Sequence, residues 1–442
     1  MSIAADAAVD VVPSAPVDLQ IARPRTQRVY DVAIVGLGYV GLPTALAFHA
    51  AGSNVLGLDI STSRLGDIRA EAVDVVASDA ARLRGALMSS TFEMSDDLDL
   101  LAAADGVLVC VPTPVDEHLT PDLKALRNAC AAVVRRVRPG QVLILTSTTY
   151  AGCTRDLLVA PLAERGLEVG RDVFVAFSPE RIDPGNTAHA HEDVPRVVGG
   201  VTPACTERAV SILERYVRLV HRVTSPEAAE LSKLLENTFR AVNIALANEV
   251  ADVCRHLGVS ATEVIDAAAT KPFGFMPFYP GPGVGGHCIP CDPHFLLWQL
   301  RALRQDAPVI ASAMTSIALR PNTVHQRVLE LLAAQGKALL GARILLLGVT
   351  YKPDIADVRE SPALTIIELL NRSGARVDFH DPLVSSIDVD GTTVNSVTVP
   401  GEPYDLVLVH SLHSRLDPAW LDVAPVVLDT SFRLAHPKAV AL

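Results

Sequence analysis

Short apolar runs alternate with helical stretches along the first half of the chain. After an initial apolar run at 32–35, further runs follow at 55–59, 106–111, 142–146 and 173–177. Runs of this length with helical segments between them are typical of parallel strands whose connections cover both faces of one sheet. We therefore predict a doubly wound α/β domain over 29–216.

A single long helix is predicted after this domain. Ser225, Pro226 and Glu227 supply an N-cap, a first-turn proline and a first-turn acid, and the apolar periodicity then continues to near Gly258. The predicted helix is roughly twice the average length of helices in globular proteins. We assign it, with the rest of 217–321, to a central helical region.

The last part of the chain, 322–442, has a second α/β pattern without a glycine fingerprint. Four strands separated by helical stretches are predicted at 343–348, 376–380, 404–410 and 426–429. The predicted fold is thus two Rossmann-like doubly wound domains joined by the long helix, with residues 1–28 as a disordered tail. Ligands of such sheets bind beyond the carboxyl ends of the strands, so a cleft between the domains is expected.

Composition and charge exclude several classes of partner. The chain has 442 residues, 49% of them apolar, with a formal net charge of −12, which argues against nucleic acid or anionic membrane as a general partner. Its seven cysteines, the absence of an export signal and the absence of a long uncharged apolar run fit a reduced, cytoplasmic setting. We expect a cytoplasmic protein.

The candidate cofactor site is a glycine-rich turn. Gly36, Gly38 and Gly41 follow a strand and open a helix, which is the context in which this spacing binds a dinucleotide. Asp59 ends the next strand, where a carboxylate accepts hydrogen bonds from the adenosine ribose and repels a 2′-phosphate. The pattern predicts NAD rather than NADP. Arg64 either stacks on the adenine or is solvated.

A second glycine-rich stretch, 278–293, contains the candidate nucleophile. Cys288 follows four glycines on a predicted tight turn, at 281, 283, 285 and 286. Cys291 also makes this a Cys-x-x-Cys motif, which raises a redox disulfide or half a zinc site as alternatives. The sequence has no second such motif to complete a zinc site. A thioredoxin-type motif belongs at the start of a helix that follows an early strand in a small domain, not in a Gly/Pro-rich turn after a long helix.

Two further positions carry candidate chemistry. Lys233 and Asn237 are four residues apart on the long helix and share one face, where they could hold an oxyanion. An exposed polar stripe is the other interpretation of this pair. Asp292, four residues after Cys288, is either part of the same site or a turn or helix-capping residue.

Motifs spread in order over about 29–433 resemble those of the UDP-glucose/UDP-mannose (nucleotide-sugar) dehydrogenase family. They are the fingerprint at 32–43, CVPTP at 110–114, STT at 147–149, SPER at 178–181, LSKLLEN at 231–237, GGHC at 285–288, YKP at 351–353 and RESP at 359–362. The stretch before Cys288 looks more like the branch acting on UDP-N-acetylhexosamines than the UDP-glucose branch. UDP-N-acetylglucosamine is the expected substrate, with UDP-N-acetylmannosamine and UDP-glucose as alternatives.

The resemblance implies a four-electron oxidation of the sugar C6 alcohol by two NAD. Cys288 would form a thiohemiacetal and then a thioester. Lys233 and Asn237 would stabilise the oxyanion, Asp292 would organise a water and assist proton transfer, and Glu180 would contribute to thioester hydrolysis.

The resemblance also implies binding residues and a partner. Besides Tyr39 and Val40 in the fingerprint, the family's NAD contacts fall at Thr113, Thr148 and Arg359. Its nucleotide-sugar contacts fall at Tyr279, Gly285 and Lys352, together with Glu180, Lys233 and Asn237. A homodimer built on the long helix is implied. Two other classes remain open: a two-electron dehydrogenase of the 3-hydroxyacid type, which would not need Cys288, and an inactive nucleotide-sugar sensor.

Overall fold

The computed structural model describes residues 29–73, 77–181, 191–286, 289–399 and 403–442. Within these ranges the first domain has eight strands: β1 (Tyr30–Val35), β2 (Val55–Leu58), β3 (Phe92–Ser95), β4 (Ala104–Val109), β5 (Val142–Leu145), β6 (Phe174–Phe177), β7 (Arg196–Gly200) and β8 (Val220–Val223). They form one sheet in the order β3-β2-β1-β4-β5-β6-β7-β8. Its helices are α1 (Gly41–Ala50), α2 (Thr62–Arg69), α3 (Ala77–Leu87), α4 (Lys124–Arg136), α5 (Ala160–Glu164) and α6 (Pro203–Leu213).

Alternate side chains of β1 enter two different cores. Ile34 lies on one face of the sheet in a buried cluster with Leu46 of α1, and Val35 lies on the other face in a cluster with Leu126 of α4. Both faces of the strand are therefore buried, which explains why its sequence is a continuous apolar run. The predicted doubly wound α/β domain is confirmed.

The last two strands of this sheet, β7 and β8, run opposite to the other six and so differ from the predicted parallel sheet. β7 runs antiparallel to β6, with Phe177 opposite Gly199, whereas the other pairs in this sheet are parallel. A strand buried on both faces shows the same apolar run in either direction, so its sequence does not indicate the direction of pairing. β8 pairs with β7 and extends the sheet beyond residue 216.

The long helix α7 (Pro226–Leu257) has the predicted ends. Ser225 Oγ accepts a hydrogen bond from the N–H of Ala228 at 3.2 Å, and Gly258 adopts a left-handed conformation with φ of 71°. Three helices follow it: α8 (Ala261–Ala269), α9 (Asp292–Ala302) and α10 (Pro308–Ala334). α7 packs against both α9 and α10, and the expected boundary between 321 and 322 falls inside α10.

In the described part of the last domain, five parallel strands form a second sheet. The elements are β9 (Arg343–Leu347), α11 (Pro362–Arg372), β10 (Arg376–His380), β11 (Ser386–Val389), β12 (Thr392–Asn395), β13 (Leu406–Val409), β14 (Val427–Asp429) and β15 (Ala439–Ala441). The sheet order is β10-β9-β13-β14-β15, and β11 and β12 form a separate antiparallel hairpin. The four predicted strands are confirmed, while β15 and the hairpin were not predicted. Among the helices described, none is both long and apolar enough to cross a membrane.

Candidate active site

The glycine turn between β1 and α1 is tight at two of its glycines and open at the third. Gly36 has a φ of +92°, and a Cβ built on it would lie 2.7 Å from the carbonyl oxygen of Cys110. A Cβ on Gly41 would lie 1.8 Å from the carbonyl oxygen of Gly36. A Cβ on Gly38 would meet no atom of the described residues within 4 Å, which leaves the room that a pyrophosphate needs to approach the backbone.

The carboxylate of Asp59 lies directly at this turn. It accepts hydrogen bonds from the N–H groups of Leu37 at 2.8 Å and Ser61 at 2.9 Å. Because a carboxylate has about four acceptor positions, it can still accept from ribose hydroxyls. Arg64 is half-buried, and its Nε donates to the carbonyl oxygen of Leu37 at 3.0 Å, so of the two alternatives the fully solvated side chain is not found. Its contact with the adenine stays a prediction. These residues fit NAD.

The loops that follow β4 and β5 are joined by one serine side chain. Ser147 Oγ accepts from the N–H of Val111 at 2.9 Å and donates to the carbonyl oxygen of the same residue at 2.8 Å. Thr113 is buried in the first loop and Thr148 is half-buried in the second. Both candidate NAD contacts thus follow the carboxyl ends of strands on the same side of β1, since β4 pairs with β1 and β5 pairs with β4. A bound dinucleotide is expected at this edge of the sheet.

Glu230, on the first turns of α7, holds the loop after β5 in place. Its buried carboxylate accepts from the N–H of Gly152 at 2.6 Å, and from the N–H and hydroxyl of Thr154 at 2.9 and 2.6 Å. Burial raises the pKa of Glu230 even though these hydrogen bonds oppose that rise. Glu230 was not among the residues predicted from the sequence, although an acid within an apolar-periodic helix was a signal for it.

Glu180 lies just after β6, in contact with a buried arginine. Nη1 of Arg196 donates to Oε2 of Glu180, and the N–H of Arg181 donates to Oε1 at 2.7 Å. Arg181 in turn forms an ion pair at 2.7 Å with Glu236, which lies on α7 beside Asn237. The loop that carries Glu180 is therefore fixed to the helix that carries the other candidate catalytic residues.

Lys233, Asn237 and Asp292 come together between α7 and the start of α9. Nδ2 of Asn237 donates to Oδ2 of Asp292, and both Lys233 and Asp292 are buried. Burial raises the pKa of Asp292 to about 6, while the Lys233 ammonium and the Asn237 amide oppose the rise. Lys233 is only 9% exposed, so the alternative of an exposed polar stripe is wrong for this lysine.

The glycines that precede Cys288 lie on the last domain. A Cβ on Gly285 would lie 2.6 Å from both the carbonyl oxygen of Glu360 and the Cβ of Tyr351. The N–H of Gly286 donates to the carbonyl oxygen of Arg359 at 3.0 Å. Cys288 and its neighbour at 287 lie outside the described residues. The chain leading to the candidate nucleophile is thus in direct contact with the second sheet's loops, and glycine is required there for close approach.

Arg359 also reaches the cofactor turn. Its guanidinium carbon lies 5.0 Å from the centroid of the Tyr39 ring, a cation–π distance. Asp357 binds this guanidinium through two nitrogens, the closest contact being 2.6 Å, and the hydrogen bonds raise the pKa of Arg359. A single residue of the last domain therefore contacts the NAD turn with its side chain and the glycine turn, through Gly286, with its backbone.

The two remaining candidate substrate residues, Tyr279 and Lys352, lie in different segments of the chain. The hydroxyl of Tyr279 donates to Oδ1 of Asp266 on α8 at 2.7 Å, and the side chain is 41% exposed. Lys352 is half-buried in the loop after β9, where its carbonyl oxygen accepts from the hydroxyl of Thr350 at 2.9 Å. Lys352 lies at the carboxyl edge of the second sheet, where that sheet is expected to bind a ligand.

We expect Gly38→Ala to weaken NAD binding at least about tenfold, about 1.4 kcal/mol, without lowering the melting temperature of the NAD-free protein. The added Cβ meets no described atom within 4 Å but occupies space next to the expected pyrophosphate. Calorimetric titration and thermal unfolding measure the two quantities. Gly66→Ala on α2, where a Cβ also meets no described atom, is the matched control and should retain NAD affinity. Equal NAD affinity in the two variants would contradict the assignment of this turn.

A dinucleotide turn on one sheet, with a buried lysine and carboxylate nearby, defines an NAD-dependent dehydrogenase, and the second sheet offers a site for a large substrate. Comparison with protein families gives its class. The chain belongs to the UDP-glucose/GDP-mannose dehydrogenase family: the NAD binding domain matches 30–217, the central domain 227–316 and the UDP binding domain 345–434. The family and the cofactor expected from the sequence are confirmed.

Individual relatives cover most of the chain. A UDP-N-acetyl-D-glucosamine 6-dehydrogenase of Pseudomonas aeruginosa is 36% identical over 395 residues, which are 87% of this chain and 90% of that protein. A UDP-N-acetyl-D-mannosamine dehydrogenase of Escherichia coli K12 is 34% identical over 350 residues, 77% of this chain and 82% of that protein. The solved UDP-D-ManNAc dehydrogenase of Pyrococcus horikoshii aligns with a TM-score of 0.85 at 29% identity, over 93% of this chain and 98% of that one.

Proposed function

We propose that this protein oxidises the C6 alcohol of UDP-N-acetylglucosamine to a carboxylate, with two NAD per sugar and a thioester on Cys288. The observation that carries the proposal is the buried group of Lys233, Asn237 and Asp292, because Asp292 is only four residues from Cys288. The relative at 36% identity supports this sugar. UDP-N-acetylmannosamine is the second candidate, since relatives named for it match at 34% identity and a TM-score of 0.85.

In the first oxidation, C6 loses a hydride and its hydroxyl loses a proton, which gives an aldehyde. Bound NAD supplies the hydride acceptor in this oxidation and in the next. Asp292 is suited to receive the proton through a water, because its pKa of about 6 lies near neutral pH. The Lys233 ammonium stabilises the negative charge that develops on the C6 oxygen, with the Asn237 amide as a second donor.

In the second oxidation, the thiolate of Cys288 adds to C6, and the carbonyl oxygen takes up a proton to give a thiohemiacetal. C6 then loses a second hydride while its hydroxyl loses the proton, which leaves a thioester. The same lysine and amide stabilise the oxyanion on either side of this step. A sulfur adduct also keeps the reactive aldehyde bound between the two oxidations.

Hydrolysis completes the reaction. A water oxygen adds to C6, the carbon–sulfur bond breaks, and the thiolate of Cys288 leaves as the carboxylic acid loses its proton. Glu180 is the carboxylate assigned to this step, because it lies on the loop that Arg181 fixes to α7 beside Asn237. A positioned carboxylate can take a proton from the attacking water.

The test is the end point of NADH absorbance with limiting sugar. Purified protein and excess NAD are given UDP-N-acetylglucosamine, UDP-N-acetylmannosamine and UDP-glucose in separate reactions. Two NADH per molecule of UDP-N-acetylglucosamine, at a higher kcat/KM than for the other sugars, is the expected result. Two NADH from another sugar would correct the substrate only, whereas one NADH per sugar would indicate a two-electron dehydrogenase and no NADH an inactive binding protein.

A homodimer through α7 is part of the same proposal. The helix exposes large apolar side chains at intervals of four or seven residues: Leu231, Leu235, Phe239, Leu246, Val253 and Leu257. A continuous exposed apolar face of this kind is typical of a protein interface. Light scattering should give twice the chain mass, and Leu235→Glu should shift it towards the monomer. A monomeric wild-type protein would refute the dimer but leave the reaction unaffected.

A further inference from the structure

Arg196 is the largest fully buried side chain of the described residues, at 1% exposure. It is the first residue of β7, in a sequence that continues as the apolar run Val-Val-Gly-Gly. A guanidinium stays charged in proteins, and an unpaired charge in such a core would cost several kcal/mol. An arginine kept here must therefore have partners that the rest of the fold holds in place.

Among the described residues, the side chain of Arg196 donates its hydrogen bonds to the segment after β6. Nη2 donates to the carbonyl oxygen of Ser178 at 3.2 Å, and Nε donates to the hydroxyl of the same serine at 3.4 Å. Nη1 donates to Oε2 of Glu180. Two contacts to Ser178 thus fix the plane of the guanidinium, and the third contact fixes one oxygen of the carboxylate.

The other carboxylate oxygen of Glu180 is fixed from a different direction. Oε1 accepts the backbone N–H of Arg181 at 2.7 Å, and the side chain of Arg181 contacts both the carbonyl oxygen of Pro195 at 2.9 Å and Glu236 on α7. The two ends of the carboxylate are therefore held by β7 and by the chain next to α7. Such a carboxylate has one orientation relative to the helix that carries Lys233.

We propose that Arg196 is a positioning residue for thioester hydrolysis, which it serves by orienting the Glu180 carboxylate towards the attacking water. The inference rests on the proposed function, because it assigns a role within the last step of that reaction. Arg196 touches neither substrate nor cofactor in this proposal. Its effect is specific to hydrolysis, and the two oxidations do not depend on it.

The test separates the oxidations from hydrolysis in one experiment. Arg196→Lys, Arg196→Met and wild type are mixed with NAD and saturating sugar in a stopped-flow instrument, and NADH is followed through the first turnover. We expect both variants to give a rapid burst approaching two NADH per site. The steady-state rate should then fall roughly tenfold to 100-fold in Arg196→Met and less in Arg196→Lys, since positioned acid–base groups contribute about 10²–10⁴-fold.

A second readout is the covalent intermediate itself. Slow hydrolysis makes the sugar thioester on Cys288 accumulate, and quenched samples should show its mass on the intact protein in Arg196→Met. Arg222→Met is the matched control, because Arg222 lies on the neighbouring strand β8 and forms an exposed ion pair with Glu207. This control should behave like wild type in both measurements.

A double variant tests the proposal even if the single Arg196 variants fail to fold. Arg196→Met/Glu180→Gln removes the buried unpaired charge that a single substitution leaves, and it should have the same steady-state rate as Glu180→Gln alone. A further loss in the double variant would show that Arg196 acts other than through Glu180 and would overturn the proposal. An equal decrease of burst rate and steady-state rate, with no adduct, would likewise show a purely structural role. One NADH per sugar in the wild type would instead refute the proposed function, whatever the variants do.

Discussion

Replacing Cys288 by serine is expected to lower steady-state turnover by roughly 10⁴-fold or more, the scale of loss seen when a covalent nucleophile is removed. A thiol is partly ionised at neutral pH and is strongly nucleophilic, whereas a hydroxyl requires a base aimed at it. Among the described residues, Asp292 is the base closest in sequence to Cys288, and its carboxylate already accepts a hydrogen bond from Asn237. At most a slow burst of NADH and a trapped sugar ester on the serine should remain.

The measurement is steady-state NADH production together with the intact mass of the quenched protein. Cys130→Ala is the control for loss of a thiol as such, because Cys130 is buried on α4 within an apolar cluster. The folded Cys130→Ala variant should keep its steady-state turnover within about twofold at 25 °C. A substitution in the core, away from the active site, acts mainly on stability. Full steady-state turnover in Cys288→Ser would eliminate the thioester route.

Local signals in the sequence were sufficient to predict the ends of the long helix and the positions of most strands. The N-cap at Ser225 and the left-handed Gly258 both depend on the few residues around them, and both are found as predicted. The β11–β12 hairpin had such a signal too, since Asp390 and Gly391 take positive φ of 49° and 73° between the strands. The direction of β7 had none, because it depends on the strand beside which it pairs.

In the candidate site, too, contacts between residues close in sequence could be predicted, whereas contacts between distant residues could not. Lys233 and Asn237 are adjacent because a helix brings residues four apart onto one face, which the sequence alone predicts. Asp292 joins them from 55 residues away, and only the packing of α9 on α7 brings this about. Buried charges such as those of Arg196 and Glu230 have partners elsewhere in the chain, at Glu180 and in the loop after β5. A lone charge in an apolar run therefore indicates that a polar or charged partner exists without identifying it.

Contacts between the domains were the least predictable part. Arg359 was predicted to contact NAD, and that stays a prediction; its contacts within the protein, from its backbone to Gly286 and from its side chain to Tyr39, were not predicted. These contacts join segments that are distant in sequence, so neither the periodicity nor the spacing of residues predicts them. Their consequence is that the cofactor turn and the glycines before Cys288 share one support in the last domain.

The pH profile of kcat/KM should have an acid limb near pH 6 that belongs to Asp292. Its pKa is raised by burial to about 6, and the carboxylate is the form that accepts a proton. Activity should therefore be present above this pH and fall as the pH drops through it. Because kcat/KM reports the free enzyme, the limb is compared with the pKa of the unliganded protein.

Two substitutions test this assignment, because one should abolish the acid limb and the other should shift it. Asp292→Asn should lower kcat/KM by about 10²–10⁴-fold and abolish the limb, since the amide cannot accept the proton. Lys233→Met removes the ammonium that opposes the rise in the Asp292 pKa, so the limb should move to higher pH. The same change should lower kcat by about 10²–10³-fold, because an oxyanion donor is lost.

His294 is the neighbouring group that would produce a similar limb, since it is buried two residues after Asp292 and burial lowers its pKa. Protonation of an imidazole and of a carboxylate would both reduce activity as the pH falls, so the profile of the wild type alone does not separate them. His294→Gln does: with Asp292 as the group, this variant keeps the limb near pH 6, while Asp292→Asn loses it. The reverse pattern would transfer the proton-accepting role from Asp292 to His294 and leave the buried carboxylate as a partner that orients Asn237.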